Sequence, residues 1–283
     1  MTTSPVGFAA AHGSAPLGEI TPRAESGILG VGGVRKYCAN GLTLIHANCM
    51  DWLHLFADAE ALISDPPWGI KLNTRNASRG NTPPHSKRVV AARNWQKIEG
   101  DDRPFDPSPW LRFPRVVLWG ASAYCDRLPG GMKWLVWDKR EGVMQNDNSD
   151  CELAWTNQRG VLRMHRQLWG GLLRRGEENG DASTHPTQKP IALMAWCMEQ
   201  VKVPAGAMVA DPFMGSGGTA IACLRTGRQF IGFETDAEHY DTAVARIEKE
   251  LSHADFFTGG GGGFSVEPSA AEKEPNAESS DRL

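Results

Sequence analysis

A strand, a glycine-rich turn, a helix and a second strand follow one another between Met208 and Glu234, and this unit restricts the fold more than any other stretch. Met208-Val209-Ala210 is a short apolar run that reads as a buried strand. Asp211-Pro212-Phe213-Met214-Gly215-Ser216-Gly217-Gly218-Thr219 then turns the chain into a helix over 219–226, stopped by Gly227. Arg228 to Phe233 is the second strand, ending at Glu234. Two strands joined through a helix lie parallel, and parallel strands belong to α/β sheets covered on both faces. A Thr235-x-x-Glu238 capping box opens the next helix, whose apolar face runs Tyr240, Val244, Ile247, Leu251.

The turn is not Gly-x-Gly-x-x-Gly, because Ala220 takes the last position, and it lacks the Gly-Lys-Ser/Thr of a phosphate loop. Its glycines permit close backbone approach to a ligand, while the missing lysine argues against a triphosphate. Glu234 lies 17 residues beyond Gly217, near the spacing of about 20 at which an acid meets ribose hydroxyls in such units. Loop and acid together point to a nucleoside-bearing cofactor.

The second chemical stretch is Asp65-Pro66-Pro67-Trp68, which follows the apolar run Ala61-Leu62-Ile63. Two prolines fix φ, remove N–H donors and hold the preceding residues extended, so the strand ends in a rigid ledge. Open α/β sheets bind ligands at that edge. The ledge offers the Asp65 carboxylate, the Asp65 and Pro66 carbonyls and the flat face of Trp68. Acceptors without donors, beside an aromatic face, suit an aromatic amine whose N–H bonds point at them while its ring stacks. The competing reading, ordinary turn residues after a strand, rests on the commonness of proline in turns.

Further strands are expected at 42–46, 115–119, 133–137 and 151–155, for seven in all. Asn48, at another strand's carboxyl end, suits either a ligand contact or a helix N-cap for the segment through Trp52, Leu53 and Phe56. Two long polar segments, 70–100 and 156–184, lack apolar periodicity and read as irregular. Residues 71–115 hold ten Lys or Arg against four acids, and 154–176 hold five Arg and no acid, although the whole chain carries −3. Such unevenness suits a polyanionic partner. Arg75, Arg79, Lys87, Arg88, Arg163 and Arg166 are the phosphate-contact candidates. His185-Pro186-Thr187-Gln188-Lys189-Pro190 opens a helix with Ile191, Met194, Met198 and Val201 on one face, and its positive N-terminal end can hold an anion.

Three of these motifs and Gly232-Phe233-Glu234 together resemble the amino-methyltransferases that move a methyl group from S-adenosylmethionine to exocyclic amines of DNA bases. The order, ledge first and cofactor loop last, is that of the beta type. The resemblance implies a Rossmann-like α/β three-layer sandwich on a seven-stranded, mostly parallel sheet. It implies that Asp211, Pro212, Phe213, Gly215, Ser216 and Gly217 line the cofactor, that Glu234 holds its ribose, and that Thr187 and Lys189 lie near its methionine part. Asp65, Pro66, Pro67 and Trp68 would hold the target base, flipped out of the duplex. Adenine N6 in DNA is the expected target, as in restriction-modification systems. Cytosine N4, adenine in RNA and an inactive nucleic-acid-binding relative are the alternatives. Trp68 stands where Tyr is commoner, Asn48 where Asp is frequent, and Gly218 where Thr is usual.

A 41% hydrophobic, 22% charged composition is that of a globular protein, and no run of about 18 apolar residues is present to span a bilayer. The first 15 residues carry no basic n-region, which argues against export and for a cytoplasmic location. Six scattered cysteines show no metal-ligand or disulfide spacing, so no metal is expected. The organisation read from the chain is a loose segment 1–33, a methyltransferase domain 34–256, and a glycine linker with an acidic, disordered tail, 257–283, in a monomer or a homodimer.

Overall fold

The computed structural model describes residues 27–31, 34–71, 98–142, 149–170, 173–174 and 188–258. Strands β1 (Gly27–Val31), β2 (Val34–Ala39), β3 (Leu42–His46), β4 (Ala61–Ser64), β5 (Arg115–Trp119), β6 (Trp134–Asp138), β7 (Cys151–Thr156) and β8 (Arg163–Arg166) precede β9 (Trp169–Gly170) and β10 (Leu173–Arg174). Helix α1 (Ile191–Gln200), β11 (Met208–Asp211), α2 (Gly218–Arg225), β12 (Gln229–Glu234) and α3 (Ala237–Thr258) follow. One sheet holds ten strands in the order β1-β2-β3-β12-β11-β4-β5-β7-β6-β8, and β9 and β10 form a separate ribbon.

The seven expected strands are the continuous centre of that sheet, β3 to β6 in the order above. β3, β12, β11, β4 and β5 run parallel, while β7 lies antiparallel to both of its neighbours. Short runs buried on both sides build this centre, and alternate residues divide between two cores. Ala61 and Ile63 of β4 face one core and Leu62 the other; Val117 and Trp119 of β5 likewise oppose Val116 and Leu118.

All three helices cover the first face, through Leu193, Cys197, Ile221, Tyr240 and Ile247 among others. Short 3-10 turns and aromatic side chains cover the second, where Phe56 meets Trp110, Phe113 and Phe233 at ring separations of 5.1–6.2 Å. The sandwich therefore has three layers, of which the described part of one is not helical.

Three expectations change. Part of the loose segment 1–33 is ordered: Gly27–Val31 pairs with β2, Gly27 opposite Cys38, because Ile28, Leu29 and Val31 form a short strand hidden among glycines. Segment 156–184 contains β8, β9 and β10, and β8 adds to the sheet edge beside β6. The helix after Asn48 is a 3-10 segment, Cys49–Phe56, interrupted by non-helical backbone at Trp52 (φ −127°, ψ 22°). No described helix is long and apolar enough to cross a membrane.

Ile63 is fully buried on the strand that carries the ledge. Ile63→Ala is expected to cost about 2–5 kcal/mol, read as a lower urea midpoint at unchanged slope. A cost within experimental error would contradict the packing of β4 described above.

Candidate active site

β11 and β4 are neighbours, yet the chain leaves β11 toward β12 on one side and β4 leads to β5 on the other. Their carboxyl ends therefore flank the point where strand order reverses, the place at which α/β sheets open a crevice. Asp211 ends β11 and Asp65 follows β4. Ser64 joins the two ends: its hydroxyl donates to Asp211 Oδ1 at 2.6 Å.

Asp211 is nearly inaccessible and accepts also from Thr219 Oγ1 (2.7 Å) and from the Phe213 N–H (3.2 Å). Burial pushes its carboxyl up to about 6, with the negative charge of Asp65 adding to the rise and the three donors opposing it. The turn between Asp211 and α2 uses left-handed backbone at Gly215 (φ 51°) and Gly217 (φ 79°). A Cβ on Gly217 would stand 3.0 Å from that of Ala243 in α3, so glycine lets the loop close onto the helix. The Arg246 guanidinium fixes the turn by donating to the Ser216 carbonyl (2.6 Å) and hydroxyl (3.0 Å).

Glu234 closes the other wall. Its Oε2 accepts from the Gly215 N–H at 2.9 Å and its Oε1 from the Asp236 N–H at 2.8 Å. Burial raises its carboxyl from an ordinary 4.5 to about 7 against the backbone N–H groups that favour the charged form. The N-cap of α3 is Asp236, whose Oδ1 accepts from the His239 N–H at 3.0 Å. The cap therefore falls one residue beyond the expected Thr235, and the Asp236 N–H is taken by Glu234 rather than by Glu238 of the expected box.

The ledge stands opposite. Asp65 Oδ1 accepts from the Trp68 indole N–H at 2.9 Å, and Oδ2 accepts from Lys189 Nζ at 2.5 Å. The indole lies where a Cβ on Gly120 would fall, at 1.9 Å from its nitrogen, so a glycine after β5 is required for Trp68 to reach Asp65. Beyond the ledge, Asp101 Oδ1 accepts from the N–H groups of Gly69 (2.9 Å) and Ile70 (3.2 Å). Burial raises the Asp65 carboxyl and Glu152 adds to the rise, while Lys189 and Trp68 oppose it. Lys189 also pairs with Glu152 of β7 at 3.0 Å, and Glu152 pairs with Lys139 at 2.8 Å. The two carboxylates outweigh burial and hold the Lys189 ammonium charged.

One cavity of about 710 Å³ joins these parts, lined by Asp65 and Pro67 on the ledge side and by Asp211, Phe213, Gly215 and Glu234 on the loop side. That volume lies within the roughly 300–1,000 Å³ typical of small-molecule sites. Phe213 is braced edge-on by Phe105 (5.9 Å) and Trp110 (5.6 Å), which makes one wall aromatic. A flat ring against Phe213, vicinal hydroxyls against Glu234 and backbone approach at Gly215 match the donor and acceptor set of a nucleoside-bearing cofactor.

Of the residues singled out in the sequence, Pro212, Ser216, Lys189 and Asn48 also border this cavity. Asn48 is in addition an N-cap, accepting from the Met50 N–H at 3.0 Å. Pro66 is buried, and Pro66, Trp68 and Gly217 support the cavity's surroundings rather than its lining. The Lys189 ammonium is engaged by Asp65 and Glu152 and not offered singly to an anion, and its carbonyl lies 3.3 Å from where a Cβ on Gly218 would be. Arg166 sits at the carboxyl-end edge, 3.5 Å from Asp138, but Arg163 pairs with Leu135, about 10 Å back along β8 toward the opposite edge. Arg75, Arg79, Lys87, Arg88 and Thr187 lie outside the described residues. Sequence reasoning passed over Ser64, Glu152, Gly120 and the cavity-lining Arg103, and it read Asp138-Lys139-Arg140 as a strand end suited either to facing the site or to capping the sheet. Ser64, beside the ledge, and Lys139, at a strand's carboxyl end, had a positional signal. Among the described residues no group of three or more His, Cys, Asp or Glu is placed to hold a metal ion.

The family model described as DNA methylase, of the N6/N4 methyltransferase type, matches residues 133–245. Type II methyltransferase M2.DpnII of Streptococcus pneumoniae is 36% identical over 85 residues, 30% of this chain and 31% of that protein, so this match spans under a third of the relative. Type II methyltransferase M2.LlaDCHI of Lactococcus lactis subsp. cremoris is 33% identical over 256 residues, covering 74% of this chain and 90% of that protein. The chain belongs to the S-adenosylmethionine-dependent, beta-type DNA amino-methyltransferases, the adenine-N6/cytosine-N4 family. The solved PvuII DNA methyltransferase (cytosine-N4-specific) is 12% identical, with a TM-score of 0.48 over 77% of this chain and 93% of that one.

The raised carboxyls of this methyltransferase carry a sign. A carboxyl whose folded pKa exceeds its unfolded value binds its proton more tightly when folded. The stability that Glu234 contributes is therefore present in full below about 4.5 and is lost as pH rises through about 7. Glu234→Gln is expected to remove part of the fall in thermal midpoint over that window, measured by calorimetry on the ligand-free protein. An unaltered pH slope would show that Glu234 ionises as it does in the unfolded chain.

Proposed function

We propose that this methyltransferase modifies the exocyclic N6 of adenine in DNA. The observation that carries the reading is the shared cavity: Asp65 of the ledge and Gly215 of the glycine turn line the same space, across the switch point of one sheet. Asp65, where a serine would suit cytosine by family resemblance, favours adenine.

Gly215 and the walls formed by Phe213 and Glu234 would hold the cofactor, and the residues present fit it. When bound, S-adenosylmethionine supplies the methyl group: the amine nitrogen forms the new N–C bond as the S–C bond breaks, and sulfur keeps the electron pair as a thioether. The protein's part is placement. Asp65, which lines the cavity, accepts one amine hydrogen, and by family resemblance the Pro66 carbonyl behind the lining would accept the other, which turns the nitrogen lone pair out of conjugation with the ring. The two prolines keep those acceptors rigid, so alignment supplies most of the acceleration. The proton released from nitrogen goes to Asp65 or to water.

A base within a duplex cannot reach this cavity unless it leaves the stack, at a cost of a few kcal/mol. Arg103 at the cavity and Arg166 at the same sheet edge supply positive charge that offsets this cost by contacting phosphates. Cytosine N4 is the nearest alternative, since the family covers both bases.

Nucleoside mass spectrometry of DNA and RNA incubated with the protein and S-adenosylmethionine tests the reading, with N6-methyladenine in DNA as the expected product. N4-methylcytosine, product in RNA alone, or no product would each replace it with a different one. Asp65→Ala is expected to lower methyl transfer by about 100-fold or more while S-adenosylhomocysteine affinity changes by no more than a few-fold. Retained turnover would remove Asp65 from the mechanism.

A further inference from the structure

We propose that Glu152 and Lys139 are positioning residues for methyl transfer: Glu152, fixed by Lys139, draws the Lys189 ammonium to one side of Asp65 and so keeps Asp65 able to accept the target amine. The proposal rests on the reading of Asp65 given above, and it concerns residues that no sequence motif contains.

Four charges alternate in a row. Lys139 Nζ lies 2.8 Å from Glu152 Oε1, Lys189 Nζ lies 3.0 Å from Glu152 Oε2, and the same Nζ lies 2.5 Å from Asp65 Oδ2. Their side chains are 20%, 14%, 7% and 16% exposed in the order Lys139, Glu152, Lys189, Asp65, so water screens them little. The sheet register builds the row. Glu152 of β7 pairs with Trp137 of β6, and Lys139 follows β6 directly, its N–H donating to the Asp150 carbonyl at 3.2 Å. α1 starts behind the ledge, so Lys189 arrives at Asp65 and Glu152 together.

An ammonium has three donors and no acceptor. Shared between two carboxylates, Lys189 leaves Asp65 part of its acceptor capacity; restricted to Asp65, it would close an ion pair over the group that must receive the amine. Glu152 lines no part of the cavity, so it acts on the reaction through Lys189. The groups facing Asp65 are Lys189, Glu152 of β7, the Trp68 indole N–H, Tyr124 after β5 and Asp211 at the end of β11. Among them Glu152 raises the proton affinity of Asp65, and Lys139 opposes Glu152.

Removing the negative charge of Glu152 and removing the positive charge of Lys139 must therefore move Asp65 in opposite directions. Full-length protein labelled with ¹³Cγ aspartate, its Asp65 resonance assigned with Asp65→Asn, reports this titration without turnover. Glu152→Gln is expected to shift the Asp65 midpoint to lower pH, and Lys139→Gln to higher pH, each by about half a unit or more. In single-turnover assays on DNA, Glu152→Gln should slow transfer about 10- to 100-fold and move the acidic limb of the pH profile down with the NMR midpoint. Its S-adenosylhomocysteine affinity should stay within about threefold of wild type.

Unmoved midpoints, or midpoints that move the same way in both variants, would overturn the proposal, as would a loss of rate matched by lost cofactor affinity. Opposed NMR shifts in a wild-type protein that methylates no base would leave the charge row standing and remove the proposed activity. Methylation by wild type with unmoved midpoints would do the reverse.

Discussion

Two carboxylates at neighbouring strand ends repel one another, and burial makes both reluctant to ionise. Ser64 resolves part of that conflict. Its hydroxyl turns the strand end that carries the ledge into a hydrogen-bond donor for Asp211, the residue that opens the glycine turn. The two halves of the site, contributed by parts of the chain nearly 150 residues apart and already paired through β4 and β11, are tied at the switch point by this 2.6 Å bond as well. Hydrogen bonds to charged groups contribute about 1.5–3 kcal/mol, and losing a donor from a buried carboxylate costs at the upper end of that range.

The remaining conflict is settled by pairing. Asp65 cannot be both buried and fully ionised without a cation nearby, and a cation bound only to it would occupy its acceptor sites. Lys189, held between Asp65 and Glu152, satisfies the first demand while limiting the second. Trp68 donates to the other oxygen of Asp65, so this carboxylate also orients the aromatic ring beside it. Gly120 is the condition for this contact: any side chain there would meet the indole.

The central sheet was legible because each of its strands is a short apolar run bounded by turn residues, and burial on both faces leaves little ambiguity in such runs. The glycine turn, Glu234 and the ledge were legible because their chemistry is local in sequence. What escaped was pairing across the sheet. β1 hid among glycines, and β8 lay within a segment rich in arginine, because an edge strand needs only one partner and little apolar pattern. Glu152 and Lys139 look like unremarkable strand-end charges until β6 and β7 are placed side by side. The cap of α3 moved from Thr235 to Asp236 because several residues there can accept the same N–H groups, and only backbone geometry chooses among them.

Chain order and spatial order differ in this fold for a physical reason. A switch point needs two strands with adjacent carboxyl ends and connections that depart in opposite directions; it sets no condition on which strand is made first. Placing the ledge on β4 and the glycine turn on β11 leaves α1 between them in sequence, and the Lys189 turn that opens α1 can then reach both. Gly218 opens α2 close to that turn: a Cβ there would stand 3.3 Å from the Lys189 carbonyl, which would have to give by a few tenths of an ångström.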